Sequence, residues 1–267
     1  MATDGEKFPA QKQDTQPGKE HIMNPLPQTI NPNYTPAHRL RGKVALVTGG
    51  DSGIGKALWL LLRKRGSKCG FYVCEGTRRQ GQGKGRHSSN ATRSKDKRCK
   101  RPCGHSCRSE QHLSNSMGDI TESRLVRVFR TNILSHIYLS RYALKHMREG
   151  STIINSTSVN AYSGNPIMLD YTATTGAIVA FTRSLALQLV EKGIRVNAVA
   201  PGPVCTPLQV ASLPADAIKN LGSEVPMKRA AQPCEIAPSY VFLAAQDCSS
   251  YFTGQVLHPN GGMIVNA

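Results

Sequence analysis

A chain of 267 residues, 39% apolar and 6% aromatic, is long enough to bury one sizeable α/β core, and its formal charge of +17 would ordinarily point to nucleic acid. The charge is concentrated, however: residues 77–108 hold eleven Lys/Arg against one acid, Asp96, which is +10 of the total. With no run near the roughly 20 apolar residues that cross a bilayer, no apolar signal in residues 1–20 and no secreted cysteine framework, a cytoplasmic protein without membrane contact is expected.

Residues 1–42 form a polar arm with prolines at Pro9, Pro17, Pro25, Pro27, Pro32 and Pro36. Such a stretch cannot propagate a helix, so it reads as extended chain that wraps the domain or a neighbouring subunit, a disordered tail being the alternative. Residues 43–267 read as a single domain. It opens with the apolar run Val44, Ala45, Leu46, Val47, then the turn Thr48-Gly49-Gly50-Asp51-Ser52-Gly53-Ile54-Gly55, then a helical pattern through Leu58, Leu61 and Leu62. Strand, glycine turn and helix start are the context a dinucleotide phosphate requires, because glycines let the backbone approach an anion and the helix start offers free N–H groups. A glycine-rich connection without a ligand is the bland alternative. A second strand is expected over residues 68–74, ending beside Glu75, twenty positions after Gly55, where an acid would bond the adenosine ribose. Arg78 and Arg79 would instead suit a 2′-phosphate, which leaves NAD and NADP both open.

Residues 77–118 break the pattern. No Val, Ile, Leu or Met lies between Val73 and Leu113, and no helix or strand period can be found. Regularity returns with a long helix over 119–147, carrying Leu125, Val128, Ile133, Ile137 and Leu144, with Asn132 inside it. A strand over 151–159, a loop over 160–165 and a helix over 171–191 follow, the last with Ile178, Phe181, Leu185 and Leu189 on one face. Then come a strand over 194–200 stopped by Pro201-Gly202-Pro203, a helix over 232–247, a short strand over 255–259 and the turn Asn260-Gly261-Gly262. This alternation predicts a doubly wound parallel sheet.

Thr48-Gly49, Gly53-Ile54-Gly55, Asn132, Ser158, Tyr171 and Pro201-Gly202 stand in the order and approximate spacing of the short-chain dehydrogenase/reductase family, which the chain resembles from about Gly42 onward, apart from the basic segment. Within it the chain is most similar to the plant glucose and ribitol dehydrogenase homologues and their bacterial stress-associated relatives. They share the arm, here Phe8-Pro9-Ala10-Gln11-Lys12-Gln13, and an ending like Phe252-Thr253-Gly254-Gln255.

The resemblance implies a Rossmann-like sheet, NAD or NADP as cofactor, and hydride transfer to or from a sugar, polyol or similar carbonyl or alcohol. It implies Tyr171 as the acid/base residue, Ser158 on the substrate oxygen and Asn132 in a proton relay. It places the cofactor on Thr48, Gly49, Asp51, Ser52, Gly53, Ile54, Gly55 and Glu75, and its nicotinamide side on Pro201, Gly202, Val204 and Thr206. It also implies a homotetramer packed through the two long helices.

Two departures temper these expectations. The family lowers the tyrosine pKa with a lysine one helical turn on, and here that position is Thr175. Turnover well below that of an intact relative follows, with a catalytically silent family member as the alternative. The family's Asn-Asn-Ala-Gly and its adenine-side aspartate are also absent between Glu75 and Asn132, and the chain is short by roughly one strand–helix–strand unit, about 30 residues. The third and fourth strands should therefore be missing or distorted, and the abrupt change of composition points to a damaged or misread coding sequence over 77–108. Resemblance resumes around Ser109-Glu110-Gln111. Taken at face value, Cys99, Cys103 and Cys107 with His87 and His105 lack the ligand spacing of structural zinc, and no aromatics interleave for base stacking. No metal site is assigned, and nucleic acid is not the expected partner.

Overall fold

The run Val44–Thr48 forms strand β1, and the glycine turn releases it into helix α1 (Gly53–Lys64). Strand β2 (Lys68–Tyr72) returns beside β1 in parallel, with Val44 opposite Lys68 and Thr48 opposite Tyr72. In this computed structural model the described residues are 8–16, 18–33, 40–64, 68–72 and 109–265, so Glu75, the paired arginines and the basic Cys/His stretch lie outside them.

The second half begins with helix α2 (Glu122–Phe129), a π turn (Arg130–Leu134) and helix α3 (Ser135–Ala143), closed by a 3-10 turn at Leu144–His146. Strand β3 (Thr152–Ser156), the single turn α4 (Asn160–Ser163) and the long helix α5 (Leu169–Leu189) follow. After strand β4 (Arg195–Val199) come α6 (Pro207–Ser212), α7 (Ala215–Lys219), α8 (Pro233–Ala244), α9 (Gln246–Ser249) and strand β5 (Val256–Leu257). The three strands form one parallel sheet in the order β3-β4-β5, with Thr152 opposite Arg195 and Ala198 opposite Val256.

All five residues of β4 are buried because both faces are covered. On one side Val196 packs with Leu185, Ala186 and Leu189 of α5; on the other Val199 packs with Ile236, Tyr240 and Leu243 of α8. Helices on both faces of the strand make the doubly wound arrangement, and its two buried polar residues are hydrogen-bonded, Arg195 to Gln246 and Ser249 and Asn197 to Phe252 O. Helix α8 also packs on α1 through Val241, Leu62 and Leu58, tying the two sheets together. Among the described residues no strand joins β1–β2 to β3–β4–β5. The far face of β1 accordingly leaves Val44 at 81% and Leu46 at 61% exposure.

Two features differ from the sequence expectations. The helix over 119–147 is interrupted at Asn132 by the π turn, a local widening frequent at functional sites. The loop after Thr206 contains two short helices, α6 and α7. The arm takes one of the courses expected of it and lies on its own domain: Met23 is buried with Cys205, Val210 and Ile218, Gln13 donates its backbone N–H to Val210 O at 3.0 Å, and Cys234 N donates to Gln28 O at 3.1 Å. Helix α5 with its 3-10 extension (Leu169–Lys192) is long and apolar enough to suit a membrane by length and composition alone. Ten of its residues are nevertheless buried, Thr174, Thr175 and Thr182 among them, which is what a core helix packed on several sides requires.

Candidate functional site

The glycine turn has the backbone its residues allow and others do not. Gly49 and Gly53 sit at φ of 63° and 52°, in the left-handed region. At Gly55 a Cβ would lie 2.2 Å from Gly49 O, so only glycine permits the strand-to-helix turn to close this tightly. Thr48 ends β1, Asp51 and Ser52 form the half-buried crest, and Gly53, Ile54 and Gly55 begin α1.

The segment after β4 is folded over this turn. Gly202 donates its N–H to Pro259 O at 3.1 Å, and a Cβ there would come within 2.8 Å of Asn260 Cα. Val204 pairs with Ala231 in a parallel bridge and is buried. Thr206 then stands against the loop, its Cγ2 only 3.1 Å from where a Gly53 Cβ would be. Of this segment Thr206 is the residue shown against the Thr48–Gly55 turn, while Pro201 and Gly202 are held by Val159 and Pro259.

Glu20 of the arm also enters here. Its carboxylate accepts the Gly53 N–H at 2.7 Å and pairs with the Lys56 ammonium, and its side chain is 10% exposed. Gly18 makes this approach possible, because a Cβ there would be 2.2 Å from Pro207 O. The same carboxylate, after burial, helps push the Cys205 thiol up to about 12. Nothing in the arm's composition marked Glu20, since a lone acid in a polar stretch carries no periodic signal.

Tyr171 lies in the first turn of α5, 7% exposed, and burial raises its pKa above the usual phenol range, opposed by hydrogen bonds from Gln111 and Ser158. Ser158 also accepts the Asn160 N–H at 3.2 Å. Tyr240 of α8 is buried nearby with its hydroxyl 2.7 Å from Ser156 Oγ; burial and the Tyr171 phenolate charge push it up to about 12. Asn132 is fully engaged: its Oδ1 accepts Glu110 N at 2.8 Å, and its Nδ2 donates to Glu110 O at 2.9 Å and to Thr174 Oγ1 at 3.1 Å. Thr175 is 2% exposed, donates its hydroxyl to Thr172 O at 2.8 Å and accepts Thr157 Oγ1 at its carbonyl. Among the described residues no Lys or Arg contributes to the ionisation of Tyr171. The structure thus sets Ser158 beside Tyr171 and links Asn132 to the Tyr171 backbone carbonyl through Thr174; Gln111, next to the Glu110 that Asn132 clamps, carries no mark in the sequence.

The tyrosine's backbone is fixed by a buried ion pair. Asp170 accepts Tyr171 N at Oδ1, 2.8 Å, and Arg124 Nε at Oδ2, 2.8 Å; its side chain is fully buried. Arg124 spends its other nitrogens on Leu113 O and His112 O, at 3.2 and 3.0 Å, so one guanidinium joins α2, α5 and the chain that carries Gln111. Arg124→Met leaves a buried carboxylate unpaired and is expected to destabilise by about 3–5 kcal/mol. Urea denaturation checks this, and an unchanged midpoint would contradict it. Among the described residues no cluster of His, Cys, Asp or Glu could hold a metal ion.

Comparison with known proteins agrees with this geometry. A family model described as enoyl-(acyl carrier protein) reductase matches residues 104–264. The NADPH-dependent aldehyde reductase 1, chloroplastic, of Arabidopsis thaliana is 53% identical, covering 96% of this chain and 98% of its own. The glucose and ribitol dehydrogenase of Daucus carota is 51% identical over the whole of both chains, in an alignment of 292 positions, 25 more than this chain has residues. That relative therefore carries at least 25 residues without a counterpart here. Among solved structures, the ligand-free aldohexose dehydrogenase of Thermoplasma acidophilum superposes with a TM-score of 0.67 at 24% identity, over 85% of this chain and 96% of that one. The 3-ketoacyl-(acyl-carrier-protein) reductase of Brucella melitensis, complexed with NADH, gives 0.63 at 20% identity over 84% and 98%. These likenesses establish the Rossmann-type fold, and on the sequence matches the chain belongs to the short-chain dehydrogenase/reductase family of nicotinamide-dependent oxidoreductases.

Proposed function

We infer that this chain is a slow oxidoreductase acting on a sugar, polyol or similar carbonyl or alcohol, with NAD or NADP as its cofactor. The observation that carries the reading is the buried Tyr171 hydroxyl with Ser158 beside it, on the same side of the sheet ends as a glycine turn covered by Thr206. The residues fit a dinucleotide: α1 leaves its first N–H groups without intrahelical partners, Glu20 takes that of Gly53, and those of Ile54 and Gly55 suit a phosphate. Thr206, Val204, Gly202 and Pro201 would line its nicotinamide side. When bound, the nicotinamide supplies or accepts the hydride. Ser158 would hold the reacting oxygen, Tyr171 would give or take its proton, and Asn132 fixes the wall at Glu110 while its π turn opens the helix backbone.

A second reading, a relative that binds the dinucleotide without turning over substrate, is favoured by Thr175, which offers no charge to the phenolate. Fluorescence titration with NADH and NADPH, followed by pentitol oxidation and aldose reduction assays, separates the two. Slow, dinucleotide-dependent turnover supports the enzyme, and binding without turnover supports the silent relative. The assembly is proposed to be a homotetramer through α2–α3 and α5, where Val126, Tyr138, Tyr142 and Leu187 are exposed at 48%, 38%, 45% and 78%. Sedimentation would show a monomer if that is wrong.

A further inference from the structure

Gln111 sits where two separate clamps meet. Asn132 holds the backbone of Glu110 on both its N–H and its carbonyl. Gln16 of the arm does the same for Gln111 itself, donating Nε2 to its carbonyl and accepting its N–H at 3.4 Å. Four hydrogen bonds therefore fix two consecutive residues and leave the Gln111 side chain close enough to the Tyr171 hydroxyl to favour its ionisation. The side chain is buried, the residue being 4% exposed, yet its carbonyl oxygen Oε1 has no hydrogen-bond partner. A buried acceptor left unpaired is unfavourable and rare in native structures, so its presence beside the acid/base hydroxyl points to a donor that arrives with a ligand. Gln111 also forms part of the wall of a polar cavity between the arm and the end of α6, lined by Lys12, Gln13, Asp14, Glu110 and Ser212 among others.

We propose that Gln111 is a substrate-recognising residue whose Oε1 accepts a hydrogen bond from a hydroxyl on the carbon next to the reacting one, so that the site selects vicinal diols and 2-hydroxy carbonyl compounds over monohydric alcohols and simple aldehydes. The inference rests on Tyr171 as the residue facing the reacting oxygen. Ser158 and Tyr171 serve that oxygen and leave Gln111 Oε1 for its neighbour, while further hydroxyls of a longer polyol would extend into the polar cavity. A substrate without the second hydroxyl leaves the acceptor unpaired, and sites of this kind discriminate against the analogue that lacks the group.

The test compares reduction of glyceraldehyde with that of propionaldehyde, in the full chain with NADPH. The wild type should favour glyceraldehyde in kcat/KM by roughly 10- to 100-fold. Gln111→Leu should bring the ratio near unity, chiefly by losing glyceraldehyde, whereas Gln111→Glu, which keeps an acceptor, should retain a preference. A wild-type ratio near unity, or a preference that survives Gln111→Leu, overturns the proposal while leaving the oxidoreductase reading intact. If neither aldehyde is turned over, calorimetric binding of a pentitol and of 1-pentanol decides. Pentitol binding that Gln111→Leu abolishes and Gln111→Glu preserves supports the role of Gln111 even though the enzymatic reading fails. Absent pentitol binding, or binding indifferent to Gln111→Leu, overturns it.

Discussion

Replacing Thr175 with lysine is expected to raise turnover by about 10- to 100-fold and to move its pH dependence toward neutrality. Position 175 lies one turn after Tyr171 on the same face of α5, where a long side chain can bring an ammonium to the phenolate. A cation about 4 Å away contributes up to ~4 kcal/mol at an effective dielectric near 20, or about three pKa units. Desolvation of the added lysine consumes part of that, hence the smaller figure. In the wild type burial holds the Tyr171 pKa above its ordinary value, so the phenolate is scarce at neutral pH. Alcohol oxidation should then keep rising with pH up to and beyond the usual phenol range, without a plateau. In Thr175→Lys the pKa falls and the plateau appears at lower pH. Thr175→Met supplies length without charge and should do neither. Equal turnover in wild type and Thr175→Lys would show that the missing cation is not what limits this chain.

Undocking the arm should be the largest effect on stability. Met23 is 4% exposed among Cys205, Val210 and Ile218, and truncating such a side chain to alanine costs about 2–5 kcal/mol. For a chain of this size that lowers the melting temperature by roughly 4–20 °C. Removal of residues 1–28 uncovers the same cluster and also takes away Glu20 from Gly53 and Lys56, and Gln28 from Gln232 and Cys234. Gly18→Ala should destabilise without creating a cavity, because its Cβ meets the Pro207 carbonyl rather than a movable side chain. Calorimetry of these variants gives the answer. A shortened chain that melts within about 2 °C of the full one would mean that the arm only lies on the surface.

Much of this was legible in the sequence, for identifiable reasons. Helix α5 packs Ile178, Leu185 and Leu189 on the sheet and so shows an apolar stripe, and β4 is bounded by the Pro201-Gly202-Pro203 stop although it buries Arg195 and Asn197. The glycine turn was readable because Gly49, Gly53 and Gly55 meet steric demands that no other residue satisfies. The arm was readable as a wrapping segment, but where it docks was not, since that depends on Gln13, Gln16 and Gln28 bonding to single backbone groups or amides far along the chain. The Arg124–Asp170 pair was hidden for a similar reason: it joins residues 46 positions apart, each unremarkable on its own helix. The π turn at Asn132 has no compositional mark. Gln111 carries no sequence mark, because what places it are hydrogen bonds from Asn132 to Glu110 and from Gln16 of the arm to Gln111 itself.

The glycine turn of this chain should work as a dinucleotide cradle with β1 and β2 as the only strands beside it among the described residues. Fluorescence titration of NADH and of NADPH with wild type and with Gly55→Ala, both verified as folded by circular dichroism, tests it most directly, a signal with either dinucleotide sufficing. A Cβ at position 55 would stand 2.2 Å from Gly49 O and spoil the turn. Saturable enhancement in the wild type that is lost in Gly55→Ala is the predicted result, and no saturable signal, or the same signal in both, would contradict it.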